Sequence, residues 1–143
     1  MLAEAPRTLG CHEPTRTIAI GDIHGCAVAL QTLIEAIQPQ PADTVIPLGD
    51  YIDRGPDSRG VIEQLIALNG RCRLIPLRGN HEEMFLAAVE RPDKVEAWLQ
   101  CGGTQMLRSN GINARLENVP QSHIEFLRST RDWFETETRL PPL

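Results

Sequence analysis

The sequence lacks a long hydrophobic run. In a chain of 143 residues, no apolar stretch approaches the roughly 20 residues that a membrane-spanning helix needs. Residues 1–16 include Glu4, Pro6, Arg7 and Glu13 and hold no apolar core, so we do not expect a secretory signal peptide there. No membrane partner is indicated, and the expected location is the cytoplasm.

Cysteine pairs and an excess of basic residues are also missing. Cys11, Cys26, Cys72 and Cys101 lie far apart and form no CxxC pair, which argues against a zinc knuckle or a disulfide framework. We expect small buried or half-buried thiols in a reducing compartment. The formal net charge is -5, which does not favour a nucleic-acid partner.

Short apolar runs and helical patterns alternate three times along the chain. The runs are Arg16–Asp22, Asp43–Asp50 and Arg71–Gly79, and the helical patterns are Cys26–Ile37, Asp57–Leu68 and Asn80–Val89. Such alternation predicts an α/β fold in which about three strands form a mainly parallel sheet with crossover helices. Asp57 or Ser58 is expected to cap the second helix, because such residues are typical of helix starts.

The remainder of the chain is expected to be helical. The predicted segments are Asp93–Gln100, Thr104–Ser109 and Pro120–Phe134, the last with Ser122 as its cap. The chain is therefore predicted to divide into a mobile tail over 1–15, one domain over 16–137 and an irregular tail over 138–143.

A polar block follows each predicted strand. The blocks are Gly21–Gly25 (GDIHG), Gly49–Gly55 (GDYIDRG) and Arg78–Glu82 (RGNHE). In open α/β sheets, ligands bind in the crevice at the carboxyl ends of the strands, so the three blocks are expected to converge. Their carboxylate, amide and imidazole groups suit a hard or borderline divalent metal ion.

These blocks, in this order, resemble the N-terminal motifs of the calcineurin-like phosphoesterase superfamily. His24 and Glu82 resemble its phosphoprotein phosphatase branch, since symmetrical diadenosine tetraphosphate hydrolases usually carry Gln and Asp at these places. The segment Trp98–Gly103 (WLQCGG) and the residues after Pro120 also resemble the small bacterial serine/threonine phosphatases. The resemblance covers roughly 17–137.

The resemblance implies two divalent ions, drawn from manganese, iron and zinc. Asp22 and His24 would bind the first ion, Asp50 would bridge both, and Asn80 would bind the second through its amide oxygen. The ions would generate a hydroxide that attacks a phosphate monoester, most simply phosphoserine or phosphothreonine in a protein substrate.

The resemblance also assigns roles around the metals. His81 would protonate the leaving alkoxide, Asp53 would orient His81, and Arg54 would grip phosphate oxygens. Arg78 and Glu82 would brace the loops.

Each of these residues has a simpler alternative role. Asp22 and Asp50 could cap helices, Asn80 could cap the helix that follows it, and His81 could be a solvated first-turn residue. Asp53 and Arg54 could form an exposed ion pair. The large aromatic residues Tyr51, Trp98 and Trp133 are expected to serve packing.

Two further histidines of the family pattern have no counterpart here. The chain has four histidines, of which His12 lies in the predicted tail and His123 is expected on a helix surface. The second metal site is therefore expected to be incomplete and turnover weak or absent. A truncated fold without the family's second sheet is also expected, with self-association through the exposed sheet.

Three functions remain open at this point. The first is a protein serine/threonine phosphatase, and the second is a symmetrical dinucleoside tetraphosphate hydrolase. The third is a non-catalytic fragment or pseudo-phosphatase that binds metal or phosphate without turnover.

Overall fold

Three parallel strands form the sheet of this protein in a computed structural model that describes residues 15–136. Strand β1 spans Thr17–Ile20, β2 spans Thr44–Pro47 and β3 spans Arg73–Leu74, in the spatial order β1-β2-β3. Thr17 pairs with Thr44, and Thr44 pairs with Arg73. The predicted α/β fold with a parallel sheet is confirmed.

The α-helices follow the strands and then fill the second half of the described chain. They are α1 (Ala27–Ile37), α2 (Ser58–Asn69), α3 (Asn80–Glu90), α4 (Val95–Trp98), α5 (Thr104–Ser109) and α6 (Gln121–Arg128). Short 3-10 turns lie at Pro92–Lys94 and Leu116–Asn118, and a π-helical turn over Leu99–Gly103 joins α4 to α5.

The second helix illustrates why the sequence folds as it does. The Asp57 side chain accepts a hydrogen bond from the backbone N–H of Gly60, which caps α2 as predicted. Val61, Ile62, Leu65 and Leu68 follow at helical spacing and are 0–1% exposed. This apolar stripe packs in the main core, together with the apolar faces of α1, α3 and α6.

Several predicted elements are shorter in the structure, and the difference is large for β3 and α6. Strand β3 covers only part of 71–79, because Pro47 and Pro76 have no N–H for the strand ladder. The sixth helix ends at Arg128 and not at Phe134, because the hydroxyls of Ser129 and Thr130 donate to the carbonyls of Phe126 and Leu127 and end the turn. Its N-cap is Pro120, so the prediction for Ser122 was wrong.

The chain after α6 returns to the sheet. Arg131 makes a parallel bridge to Leu77, and its N–H donates to the carbonyl of Pro76 at 2.9 Å. The side chain of Arg78 donates to Thr130 Oγ1 and to the carbonyls of Arg128 and Thr130 at 2.9–3.0 Å. The predicted bracing role of Arg78 therefore has a structural basis.

Several surface predictions can be compared with the structure. No described helix is long and apolar enough to cross a membrane. Leu48, just after β2, is 48% exposed, although its neighbours Ile46 and Ile75 are buried. Self-association through the sheet stays a prediction. Cys26 and Cys101 are exposed, so the expectation of buried thiols was wrong for these two.

The predicted tails lie almost wholly outside the described residues. Of the N-terminal tail over 1–15 only residue 15 is described, and none of 138–143 is. Trp133 is 69% exposed and does not serve packing, whereas Tyr51 and Trp98 are buried as expected.

Candidate active site and metal centre

Three side chains from two strand ends form a cluster that could hold a metal ion. Asp22 follows β1 and Asp50 follows β2, and one ligand atom from each, with a ring nitrogen of His24, lie within 4.8 Å of one another. Two carboxylates and an imidazole suit a divalent ion such as Mn²⁺, Fe²⁺ or Zn²⁺. Neither aspartate caps a helix, because the N-caps of α1 and α2 are Cys26 and Asp57.

A hydrogen bond fixes the orientation of the His24 ring. Its Nδ1 lies 3.0 Å from the backbone carbonyl oxygen of Ile52. A carbonyl only accepts, so Nδ1 carries the proton in the neutral ring and Nε2 is the free lone pair. Metal-binding histidines are held in this way by a partner on their second nitrogen.

The fourth predicted ligand, Asn80, begins helix α3. It is exposed, and its side chain makes no hydrogen bond within residues 15–136, so it does not act as a helix cap. The next N–H, that of His81, donates to Asp50 Oδ1 at 3.2 Å. The start of α3 is thereby tied to the Asp22–His24–Asp50 cluster.

The buried carboxylate of Glu82 holds two of the loops together. It accepts hydrogen bonds from the backbone N–H groups of Asp50, Tyr51 and Gly79 at 2.8–2.9 Å. Glu82 is 0% exposed, and burial raises its pKa although the three N–H groups oppose the shift. Its predicted bracing role is what the structure shows.

The backbone around the cluster is strained. His24, Asp50, Asp53 and Arg54 have φ values of 41°, 55°, 71° and 66°. Non-glycine residues rarely adopt this left-handed region, and such residues concentrate at functional sites. The conformation occurs in the loops that follow β1 and β2.

Glycines let the turns approach one another. A Cβ added at Gly55 would lie 1.8 Å from the carbonyl oxygen of His24, and one added at Gly49 would lie 2.6 Å from the backbone nitrogen of Gly79. The three polar blocks therefore converge in space, as their positions after parallel strands predict.

His81 lies beside the cluster and is paired with Asp53. The two imidazole rings of His24 and His81 meet edge to face with centroids 4.8 Å apart. His81 Nδ1 is 2.8 Å from Asp53 Oδ2, and both side chains are almost fully buried. His81 is thus no solvated first-turn residue, and Asp53 forms no exposed ion pair with Arg54.

The Asp53 carboxylate of this pair also accepts hydrogen bonds from the side chain of Trp98. The indole Nε1 of Trp98 donates to Asp53 Oδ1 and Oδ2 at 3.1 and 3.0 Å. Burial raises the pKa of Asp53 to about 6, against the opposing hydrogen bonds from His81 and Trp98. Ser58 Oγ accepts from the Asp53 N–H at 3.0 Å, which further fixes the loop.

The structure shows a role for Trp98 that sequence reasoning missed. We expected only packing, which the edge-to-face contact with Phe85 at 5.3 Å does provide. Gly103 lies directly against the indole, since a Cβ there would be 2.4 Å from Trp98 Cε2. A glycine pair inside a helical segment signals such close packing, and this was the available clue.

Arg54 lies at the exposed edge of the site. Its backbone N–H donates to the carbonyl of Gly102 at 3.1 Å. Gly102 has φ +112°, and a Cβ there would lie 2.7 Å from Arg54 Cγ. The turn between α4 and α5 therefore supports both Arg54 and, through Trp98, the His81–Asp53 pair.

His123 does not belong to this site and is not on a surface. It is 3% exposed, its Nε2 lies 3.7 Å from Glu63 Oε1 on α2, and burial lowers its pKa. The prediction of an exposed residue was wrong because α6 packs with this side against α2. His12, the fourth histidine, lies outside the described residues.

Curated relatives carry two different names. Serine/threonine-protein phosphatase 1 of Salmonella typhimurium is 38% identical over 96 residues, which is 66% of this chain and 42% of the relative. A symmetrical bis(5'-nucleosyl)-tetraphosphatase of an Acidovorax strain is 43% identical over 71 residues, 49% of this chain and 25% of the relative. The chain spans less than half the length of either.

Solved structures and a family model agree on the fold. A protein assigned as a diadenosine tetraphosphatase superposes with a TM-score of 0.57 at 25% identity, over 80% of this chain and 42% of that one. A cold-active protein-tyrosine phosphatase of a Shewanella species superposes with a TM-score of 0.54 at 20% identity, over 82% of this chain and 40% of that one. Residues 15–139 match the family described as Calcineurin-like phosphoesterase, and this chain belongs to that family.

Proposed function

We propose that the chain is a metal-dependent phosphoesterase that hydrolyses phosphate monoesters, with phosphoserine and phosphothreonine in proteins as its substrates. One observation carries the proposal. The Asp22–His24–Asp50 cluster, with ligand atoms within 4.8 Å, lies directly beside the buried His81–Asp53 pair. A cation site next to a proton donor is the combination that phosphate ester hydrolysis requires.

The donor set of the cluster fits the metals of the family. Two carboxylates and the free Nε2 of His24 would hold an ion, and the unbonded amide of Asn80 is a further oxygen donor at the same edge. Bound divalent ions would supply Lewis-acid chemistry that polarises a phosphoryl oxygen and lowers the pKa of water. We propose that these residues hold one ion at the Asp22–His24–Asp50 cluster.

His81 has the geometry of a general acid. Asp53 Oδ2 accepts the hydrogen bond from Nδ1 at 2.8 Å, so Nε2 is the atom that exchanges a proton with the leaving alkoxide. A serine alkoxide is a poor leaving group, and such proton transfer contributes typically 10²–10⁴-fold to the rate. Arg54, on the exposed edge, supplies a planar fork for two phosphate oxygens.

Two observations favour the protein phosphatase branch. His24 and Glu82 are the residues of that branch, and the relative named as a serine/threonine phosphatase aligns over 66% of this chain. The second candidate is symmetrical hydrolysis of dinucleoside tetraphosphates. The 43% identity to a tetraphosphatase over 71 residues favours it.

A paired assay tests the proposal. The chelator-treated protein is given MnCl₂ and either a phosphoserine peptide or diadenosine tetraphosphate, and released phosphate and ADP are measured separately. We expect manganese-dependent phosphate release from the peptide, which Asp50→Asn abolishes and His81→Asn lowers by about 10²–10⁴-fold. Asp93→Asn, at an exposed residue in an ion pair with Arg91, is the matched control and should keep full activity.

The other outcomes decide among the rival functions. ADP from the dinucleotide without phosphate from the peptide would favour the tetraphosphatase. Manganese binding, seen as loss of the free-ion EPR signal in the wild type but not in Asp50→Asn, together with no turnover of either compound, would favour a non-catalytic binding protein. Absence of manganese binding would overturn the proposal.

A further inference from the structure

An open polar groove adjoins Arg54. It has a volume of about 650 Å³, and its walls are Arg54, the turn between α4 and α5, and one side of α5. Its lining includes Arg54, Gln100, Gly102 and Arg108. Arg54 is therefore shared between this groove and the candidate active site.

The groove is cationic although the chain as a whole is acidic. Its lining contains two arginines and no carboxylate, while the net charge of the chain is -5. Arg54 and Arg108 form no ion pair with any residue of 15–136, whereas Arg59, Arg78 and Arg91 each pair with an acidic side chain. Gln100, in the lining, donates a hydrogen bond from its amide to Glu96 Oε1 at 3.0 Å.

The position of the groove relative to the site is fixed. The Arg54 N–H donates to the Gly102 carbonyl at 3.1 Å, and Gly102 leaves no room for a Cβ beside Arg54 Cγ. In the same segment, Trp98 donates to Asp53. A ligand that spans the groove and the metal cluster would thus meet a preorganised surface, which lowers the cost of binding.

We propose that this groove binds a second anionic group of the substrate, with Arg108 as a specificity-determining residue. The inference rests on the proposed function, since Arg54 is taken to hold the phosphoryl group that is hydrolysed. The second anionic group would be a carboxylate or a phosphate that reaches Arg108 while the hydrolysed phosphoryl group lies at Arg54. Its two sources are an acidic side chain next to the phosphoserine of a peptide and a further phosphate of a dinucleoside polyphosphate.

Binding measurements test this without turnover. Two fluorescent peptides carry the phosphonate analogue of phosphoserine and differ only in Glu or Gln at the flanking positions, and dissociation constants are measured by anisotropy with MnCl₂. Wild type should bind the Glu peptide about threefold more tightly, as an exposed ion pair allows. In Arg108→Gln this ratio should fall to about one, and Arg115→Gln, at an exposed arginine outside the groove, should keep it.

A third arm identifies the source of the anion. Diadenosine tetraphosphate competes with the Gln peptide, and a loss of competition specific to Arg108→Gln would assign the groove to a polyphosphate. If neither the Glu–Gln ratio nor the competition depends on Arg108, the inference is overturned while the proposed function stands. If the Gln peptide itself fails to bind the manganese-loaded wild type, both are overturned.

Discussion

Replacing Trp98 by phenylalanine is expected to destabilise the metal-free protein more near pH 7.5 than near pH 5. The substitution removes the indole N–H that reaches both carboxylate oxygens of Asp53 at 3.0–3.1 Å. It also leaves space in a core position that is 1% exposed. The lost packing is the same at every pH, whereas the lost hydrogen bonds depend on the charge of Asp53.

The magnitude follows from the protonation of Asp53. Its folded pKa is about 6, raised from 3.8, so in the wild type Asp53 itself lowers stability as the pH rises from about 4 to 6. At pH 7.5, above the folded-state pKa, the carboxylate of Asp53 is charged, and hydrogen bonds to a charged group contribute about 1.5–3 kcal/mol. At pH 5, below the folded-state pKa, the carboxyl group of the folded protein is mostly neutral, and losing its hydrogen bonds costs only about 1 kcal/mol.

Urea unfolding of wild type and variant at both pH values measures the difference. The loss near pH 7.5 should exceed the loss near pH 5 by about 1 kcal/mol, which corresponds to about 4 °C in Tm for a chain of this size. The control is Phe85→Leu, because Phe85 packs against Trp98 with centroids 5.3 Å apart but has no polar group near Asp53. The free energy of unfolding that Phe85→Leu loses should be the same at both pH values.

One result would refute the reasoning. If Trp98→Phe loses the same free energy at both pH values, the indole contributes packing alone. The hydrogen bonds to Asp53 would then have no net effect on its charged form.

Three further predictions concern other parts of the site. Glu82→Gln should lower the free energy of unfolding by about 3 kcal/mol or more, because an amide cannot accept all three backbone N–H bonds that the carboxylate now accepts. Denaturant unfolding measures this loss, and a loss below about 1 kcal/mol contradicts the prediction. Gly102→Ala should be destabilising by at least about 1 kcal/mol, since φ is +112° and the new Cβ would meet Arg54. Gly70→Ala, with φ -83° and its nearest neighbour 3.5 Å away, is the control and should be neutral or slightly stabilising. Asp50→Asn should weaken Mn²⁺ binding at least about tenfold by calorimetry, and an unchanged affinity would remove Asp50 from the ligand set.

The convergence of the site could be predicted because it depends on local signals. Glycine-aspartate pairs after short apolar runs mark the carboxyl ends of strands, and parallel pairing brings such ends to one edge. The cap of α2 at Asp57 is also local, since its side chain bonds only three residues ahead. These features need no knowledge of the distant chain.

The remaining features depend on contacts between distant parts of the chain. Trp98 and Asp53 are 45 residues apart in sequence, and no local pattern pairs them. His123 was expected on a helix surface because neither later histidine motif of the family surrounds it, but the packing of α6 on α2 decides its burial. The parallel bridge of Arg131 to Leu77 likewise joins residues that are far apart in the sequence.

The left-handed backbone at His24 and Arg54 has a consequence for protein engineering. Glycine would adopt these φ values of 41° and 66° at lower energy, by an amount on the order of 1 kcal/mol at each position. A library screened only for heat resistance should therefore become enriched in glycine there and lose its chemistry in the process. Thermostable versions of this domain should keep the two side chains fixed and seek improvements elsewhere.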